Sequence, residues 1–191
     1  MLANREQELA MNSVFETDRL RVRRIESTDI DGLHELHRSV NVARYCSGPP
    51  LTHEESRQHL ETVRQHYATP DNTSWVWAVE RIADQAFVGT CALVGRSVND
   101  TEVGYRFLEQ FWGQGFGTEL VSGLVRHWHN QMCAETLTAC VYTKNVASWK
   151  ILERAGFHLK REFLSGDGRR DRYYCLQRCG HHQLENELRG S

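Results

Sequence analysis

The segment TEVGYRFLEQFWGQGFGTEL, residues 101–120, constrains the fold of this 191-residue chain more than any other stretch. A strand-like run leads into a loop that contains Gly113, Gly115 and Gly117, and an amphipathic helical pattern follows at once. Such a junction presents several backbone N–H groups at the positive end of a helix dipole. Because glycine also lets the backbone approach a ligand closely, the junction predicts a site for a phosphate or pyrophosphate group.

Strand and helix patterns on both sides of this junction indicate the fold class. Three strand patterns with short turns cover residues 74–108 and imply an antiparallel meander. After the junction come a strand at Thr136–Tyr142, a short helix capped by Asn145, and two last strands. With no internal repeat, low-complexity segment or linker, this order predicts one domain of mixed α and β structure.

Two further helices are predicted ahead of the meander. The alternating run FETDRLRVRRI predicts a first strand, and residues 27–39 then form a helical pattern with Thr28 as the N-cap. A second helix begins at Thr52 and is expected to end near Ala68, because Glu55 completes a capping box with Thr52.

Composition narrows the classes of partner. The formal net charge is −2, which provides no electrostatic footprint for nucleic acid. No apolar run reaches the length of a membrane span, so no membrane partner is expected. The irregular spacing of six cysteines and the polar start of the chain favour reduced thiols in the cytoplasm, with Met11 as an alternative translation start.

Two groups of histidines and cysteines lack the spacing of zinc sites, so no metal is expected. One group is Cys175, Cys179, His181 and His182, and the other is His127, His129 and Cys133.

Two segments together resemble the GNAT superfamily of N-acetyltransferases. EVGYRFLEQFWGQGFGTEL resembles the superfamily's acyl-CoA loop, Q/R-x-x-G-x-G/A, with Gly115 and Gly117 at its glycine positions. Trp112 replaces the leading Gln or Arg, as in the RimJ/RimL-like branch. NVASWKILERAGF, residues 145–157, resembles the second element of that branch, and TDRLRVRRI and GDGRRDRYYCL fit it more loosely. The resemblance covers residues 17–176.

The resemblance implies an α/β fold in which a strongly twisted mixed sheet of about seven strands is flanked by about four helices. The sheet splits into a V that holds acetyl-CoA, with the pantetheine arm paired like an extra strand. The acetyltransferase domain is expected at residues 14–180, between an N-terminal extension at 1–13 and a polar tail at 181–191. Homodimers occur in the superfamily, so self-association is open to this chain.

The resemblance also implies which groups contact acetyl-CoA. Backbone N–H groups of the glycine loop are expected to hold the pyrophosphate. An N–H group at Phe107 or Leu108 is expected to face the thioester carbonyl, and the amide of Asn145 the pantetheine or phosphate region. Lys150, with Lys144 and Arg154, is a candidate for the 3′-phosphate. A glycine-rich turn that only reverses the chain, or a dinucleotide site, remains an alternative. The loop residues are Gln114, Gly115, Phe116, Gly117 and Thr118.

The same resemblance implies direct attack of a primary amine on the thioester. Ser148 is the candidate donor to the sulfur; alternatively, its hydroxyl serves only the first turn of the helix capped by Asn145. Glu102 is the candidate base; alternatively, it is a surface carboxylate. A regular strand places Glu102 and Tyr105 on opposite faces, and a bulge would change this.

The acceptor is expected to be a protein N-terminus or a small amine. Trp75 and Trp77 lie on one side of their strand and form either an acceptor wall or, more often, core packing. The acidic residues Glu54, Glu55 and Glu61 fit either a cationic acceptor or a solvated helix face. The alternative function is a non-catalytic module that binds acyl-CoA.

Overall fold

The computed structural model describes residues 13–46 and 48–178. Of the extension predicted at 1–13, residues 1–12 lie outside the described residues, as do the tail at 181–191, Cys179, His181 and His182. Within the described part, no helix is both long and apolar enough to cross a membrane.

In the described part of the chain, eight strands form one sheet in the order β1-β2-β3-β4-β5-β6-β8-β7. Every neighbouring pair is antiparallel except β5 and β6, which are parallel. The mixed sheet confirms the predicted fold class. The strands are β1 Ser13–Glu16, β2 Leu20–Arg24, β3 Ser74–Arg81, β4 Ala86–Ser97, β5 Asp100–Phe107, β6 Thr136–Tyr142, β7 His158–Leu164 and β8 Arg170–Gln177.

The count of about seven strands was low because the predicted first strand is a hairpin. The N–H of Thr17 donates to the carbonyl of Leu20 at 2.8 Å, and this tight turn separates β1 from β2. Residues 16–19 are all polar, and the predicted strand rested on the alternation around Leu20 and Val22, so the turn was absorbed into one run.

The helices are α1 Ile30–Arg38, α2 Val40–Ala43, α3 His53–His66, α4 Phe116–Gln131 and α5 Val146–Arg154. The prediction of Thr28 as an N-cap was wrong: Ser27–Asp29 is a 3-10 turn, and α1 begins after Asp29. The count of about four helices was also low, because Ser39 caps the separate α2 by accepting the Val42 N–H. The capping box of Thr52 and Glu55 is confirmed at the start of α3.

The helices cover the sheet in two layers. On one side, which we call the α1/α3 face, Leu33, Leu60 and Val63 pack against Ala78 of β3. On the other side, the α4/α5 face, the apolar stripes of α4 and α5 are buried in the main core with Val103 of β5. Burial of such side chains is the largest favourable contribution to folding, and it fixes β5 between the two layers.

The sheet opens between β5 and β6. Their pairing joins Asp100–Glu102 to Thr136–Thr138, and from there to Phe107 the described residues of β5 pair with β4 alone. We call this opening the β5/β6 gap. It exposes an edge of backbone groups in the middle of the sheet, in agreement with the V-shaped split that the resemblance implied.

Candidate acyl-CoA and acceptor site

The glycine loop ends in the N-terminus of α4, a helix of 16 residues. Gly115 is its N-cap, with a left-handed φ of 83°, a conformation that favours glycine. The Glu119 N–H donates to the Gly115 carbonyl at 3.2 Å, and this bond begins the hydrogen-bonded part of α4. The N–H groups of Phe116, Gly117 and Thr118 precede it and have no acceptor within the helix. They are therefore free to bind an anion at the positive end of α4.

Side chains from the β1–β2 turn brace this loop. Glu119 accepts hydrogen bonds from the Thr17 hydroxyl at 2.6 Å and from the Arg19 Nε at 2.7 Å. Arg19 also donates to the Gln114 carbonyl at 3.1 Å, and its guanidinium lies 4.5 Å from the centre of the Phe116 ring. Burial opposes ionisation of Glu119, but the bonds from Thr17 and Arg19 lower its pKa below the usual value.

Sequence reasoning missed Arg19, although the signal was present. The segments TDRL and GFGTEL were both noted as parts of the resemblance, but nothing in the sequence joins them. The structure brings them together through Thr17, Arg19 and Glu119, so a cation lies beside the loop where none was expected.

The loop residues differ in what they can offer a ligand. The Phe116 side chain is buried against Phe111, with ring centroids 6.2 Å apart, so only its backbone can reach a ligand. A Cβ at Gly117 would lie 2.7 Å from the Cδ1 of Ile151, so this glycine also permits α4 and α5 to pack closely. Gln114 is exposed, and its side-chain amide donates to the Gln110 carbonyl.

The edge of β5 offers backbone groups to the gap. The Leu108 N–H donates to the Val88 carbonyl at 2.9 Å and is directed at β4. Because successive residues of an antiparallel strand alternate in direction, the N–H of Phe107 is directed away from β4, at the gap. Of the two expected donors, the Leu108 N–H is therefore already bonded within the sheet, which contradicts its predicted role, and the Phe107 N–H stays a prediction. Trp112 lies close by and donates its Nε1 proton to the Phe107 carbonyl at 2.8 Å.

Ser148 reaches β5 from the first turn of α5. Asn145 caps this helix, accepting the Ser148 N–H at 3.2 Å, and this part of its predicted role is confirmed. The Ser148 hydroxyl lies 2.9 Å from the Tyr105 hydroxyl on the α4/α5 face. The bond therefore links α5 to β5 and is not confined to the helix turn. Burial raises the pKa of Tyr105 to about 12, so Tyr105 retains its proton at neutral pH.

Glu102 lies on the α1/α3 face of β5, opposite Tyr105. The register with β4 is regular from Thr101 to Phe107, so no bulge reverses the alternation. The Glu102 carboxylate accepts hydrogen bonds from Arg96, at 2.7 Å from Nε and 2.6 Å from Nη2. Gly104 and Arg106 follow on the same face. The two candidate groups for proton transfer thus flank β5 from opposite sides.

Other predicted residues lie away from the gap. Trp77 is 4% exposed and stacks on Trp75, with ring centroids 6.2 Å apart. Both line a cleft that also includes Met132, just beyond the C-terminal end of α4. A helix of this length separates its ends by about 24 Å, so the pair lies far from the glycine loop, as expected for core packing.

Charged residues near the site are mostly paired or exposed. Glu54 pairs with Arg57 and Glu61 with Arg64 on the solvated side of α3, and Glu55 serves the capping box. These acids therefore form a helix surface and not an acceptor pocket. Lys144, Lys150 and Arg154 are exposed around α5. Among residues 13–46 and 48–178, no group of His, Cys, Asp and Glu side chains is arranged to hold a metal ion.

Comparison with known proteins identifies the family. A family model described as an acetyltransferase (GNAT) domain matches residues 19–158. The "Uncharacterized N-acetyltransferase YoaA" of Bacillus subtilis is 26% identical over 151 residues, 77% of this chain and 84% of that protein.

Solved structures share the fold. RimL, a ribosomal L7/L12 alpha-N-protein acetyltransferase in complex with coenzyme A, aligns with a TM-score of 0.75 at 17% identity, over 86% of this chain and 97% of that one. The spermidine N-acetyltransferase of Vibrio cholerae, in complex with CoA and spermine, aligns with a TM-score of 0.71 at 17% identity, over 83% and 95%. The family match, which spans most of the chain, shows that this protein belongs to the GNAT acetyltransferases, the acetyl-CoA-dependent enzymes that its two motifs predicted.

Proposed function

We propose that this protein transfers the acetyl group of acetyl-CoA to a primary amine that approaches β5 from the α1/α3 face. The observation that carries the proposal is the arrangement around the β5/β6 gap. Candidate groups for the thioester lie along the strand edge and on the α4/α5 face, whereas Glu102 lies on the opposite face. An amine and a thioester can therefore meet at one strand without competing for space.

The residues present fit acetyl-CoA. The free N–H groups at the start of α4 suit the pyrophosphate, and the outward N–H of Phe107 suits an acyl oxygen. When bound, acetyl-CoA supplies an activated acetyl thioester. Asn145 and Lys150 are proposed as further contacts, since both belong to the helix that borders the gap.

Side chains of the protein are proposed to donate and accept the protons of the reaction. Ser148, hydrogen-bonded to the protonated Tyr105, is proposed to donate to the departing sulfur. Tyr105 either takes that role directly or orients the Ser148 hydroxyl. Glu102 is proposed to accept the proton of the attacking amine, directly or through water, because an ammonium group has no free electron pair.

The acceptor is proposed to be an α-amine or a small amine, consistent with a RimJ/RimL-like branch. An α-amine has a pKa of about 7.7–8.0, whereas that of a lysine side chain is about 10.4. More of an α-amine is therefore neutral at physiological pH, which reduces the demand on the base. Both kinds of substrate appear in the names of related structures, one acting on an α-N-terminus and one on spermidine.

The proposal is tested by monitoring free CoA thiol while the protein is mixed with acetyl-CoA and a panel of peptides, amino acids and polyamines. Amine-dependent thiol release, with mass-spectrometric detection of the acetylated amine, is expected. Binding of CoA with no amine-dependent release across the panel would contradict catalysis and favour the alternative, a module that only binds acyl-CoA.

A further inference from the structure

Arg106 lines a cavity of about 120 Å³ on the α1/α3 face of β5. The other walls include His37 of α1 and apolar side chains such as Leu36, Val42 and Leu51. Arg106 is partly buried, and within residues 13–46 and 48–178 no carboxylate pairs with it. A partly buried guanidinium without an anion is costly, and its planar array of donors suits a carboxylate. The cavity thus has an unused binding group for an anion.

Two histidines near Arg106, His37 and His59, add no positive charge to the cavity at neutral pH. The Nδ1 atom of His37 lies 3.2 Å from the Ser56 hydroxyl, and the His37 ring meets the His59 ring edge-on at 5.1 Å. Burial, and then the positive charge of Arg106, lower the pKa of His37 to about 3, and the same two causes lower the pKa of His59. The cavity therefore keeps the single positive charge of Arg106.

Gly104 leaves the floor between Glu102 and Arg106 open. A Cβ built on Gly104 would have no heavy atom within 4 Å, and its φ is not in the left-handed region. Neither packing nor backbone conformation within the described residues explains a glycine there. Glycine inside a strand often marks close approach by a ligand. Glu102 and Arg106 each lie two residues away on the same face, about 7 Å along the strand.

We propose that the acceptor is an amine that also carries a carboxylate, which Arg106 binds while the amine lies over Gly104 beside Glu102. This inference rests on the proposed acetyl transfer and adds the chemical class of its acceptor. Polyamines are poor acceptors under this arrangement, because their second cationic group would approach Arg106.

The carboxylate has two sources, and matched pairs of acceptors distinguish them. One pair is a free amino acid and its amide; the other is a peptide that begins with Asp and its counterpart that begins with Asn. We expect kcat/KM to favour the anionic member of one pair by about tenfold or more, as for a hydrogen-bonded ion pair. The pair that responds identifies the source.

Substitutions at Arg106 connect this preference to the cavity. Arg106→Gln is expected to bring the ratio of kcat/KM close to one while leaving the KM for acetyl-CoA unchanged. Arg106→Lys keeps the charge and is expected to retain part of the preference, even if the glutamine variant is less stable. Arg38→Gln is the matched control, because Arg38 is exposed on α1 and pairs with Glu35; it should leave the ratio unchanged.

Two results would overturn the inference alone: thiol release in which the wild type shows no preference or favours polyamines, and an Arg106→Gln variant that keeps the wild-type ratio. Absence of thiol release with every amine would instead contradict the proposed acetyl transfer, and the inference with it.

Discussion

On the α4/α5 face of β5, the candidate site is built from backbone N–H groups and from two hydroxyls, Ser148 at a helix cap and Tyr105 on β5, that hydrogen-bond to each other. On the α1/α3 face, it is built from the charged side chains of Glu102 and Arg106 around an open glycine. The backbone groups of the α4/α5 face suit a ligand that is the same in all relatives, because backbone geometry varies little with sequence. The side chains of the α1/α3 face suit a ligand that differs among relatives, because single substitutions can change the charge and shape of that face.

The largest effect of a substitution is expected on the α4/α5 face, at the glycine loop. Gly115→Glu places a side chain at a φ of 83° and a negative charge where a pyrophosphate is proposed to bind. Affinity for CoA, measured by calorimetry, should fall by about a hundredfold or more, since strain and repulsion add. Gly166→Glu is the control, because Gly166 is exposed with open space around it. Unchanged CoA binding in Gly115→Glu would remove the loop from the site.

Glu102→Gln tests the role of the α1/α3 face. Loss of a general base lowers rates by about a hundredfold or more, so kcat/KM for the amine should fall by that order with CoA affinity unchanged. Raising the pH should recover part of the loss, because more of the amine is then neutral. Glu54→Gln, on the surface of α3, is the matched control. A Glu102→Gln variant with wild-type kcat/KM would make Glu102 only a surface partner of Arg96.

Ser148→Ala and Tyr105→Phe test the hydroxyl pair. Each is expected to lower kcat by about tenfold to a hundredfold with little change in the KM for acetyl-CoA. If the two hydroxyls act through their shared hydrogen bond, the double variant should be little worse than the poorer single one. Wild-type kcat in Ser148→Ala would leave the hydroxyl a structural link between α5 and β5.

The smallest effect is expected on the stability of the protein and concerns His37, in the wall of the cavity on the α1/α3 face. Its pKa is about 3 in the folded protein and about 6.5 when unfolded. Between these values the unfolded chain binds a proton that the folded protein does not, so stability should decline as pH falls below about 6.5. Melting temperatures from pH 7 to pH 5 should decline less steeply in His37→Asn. Equal slopes would show that other groups dominate.

Much of the α4/α5 face could be predicted because the sequence features that indicate it are local. Gly115 before a helical pattern and Asn145 three residues before Ser148 are short-range features whose geometry follows from helix caps. Exceptions arose where contacts are long-range: the direction of the Leu108 N–H depends on β4, and the bracing by Arg19 depends on a partner far along the chain.

On the α1/α3 face, only Glu102 had a comparable signal. His37 and Arg106 come from distant segments, and only the packing of α1 on the sheet brings them to one cavity. The charges of α3 suggested a cationic acceptor or a solvated surface, and their partners within the same helix favour the solvated surface. Charge in a sequence window does not show which charges are already paired.

The bracing of the glycine loop by Thr17 and Arg19 couples ligand affinity to a hairpin at the edge of the sheet. Because linkage is reciprocal, a ligand that orders the start of α4 should slow amide hydrogen exchange in β1 and β2. Deleting or distorting that hairpin should in turn weaken CoA binding, although it supplies none of the N–H groups assigned to the pyrophosphate.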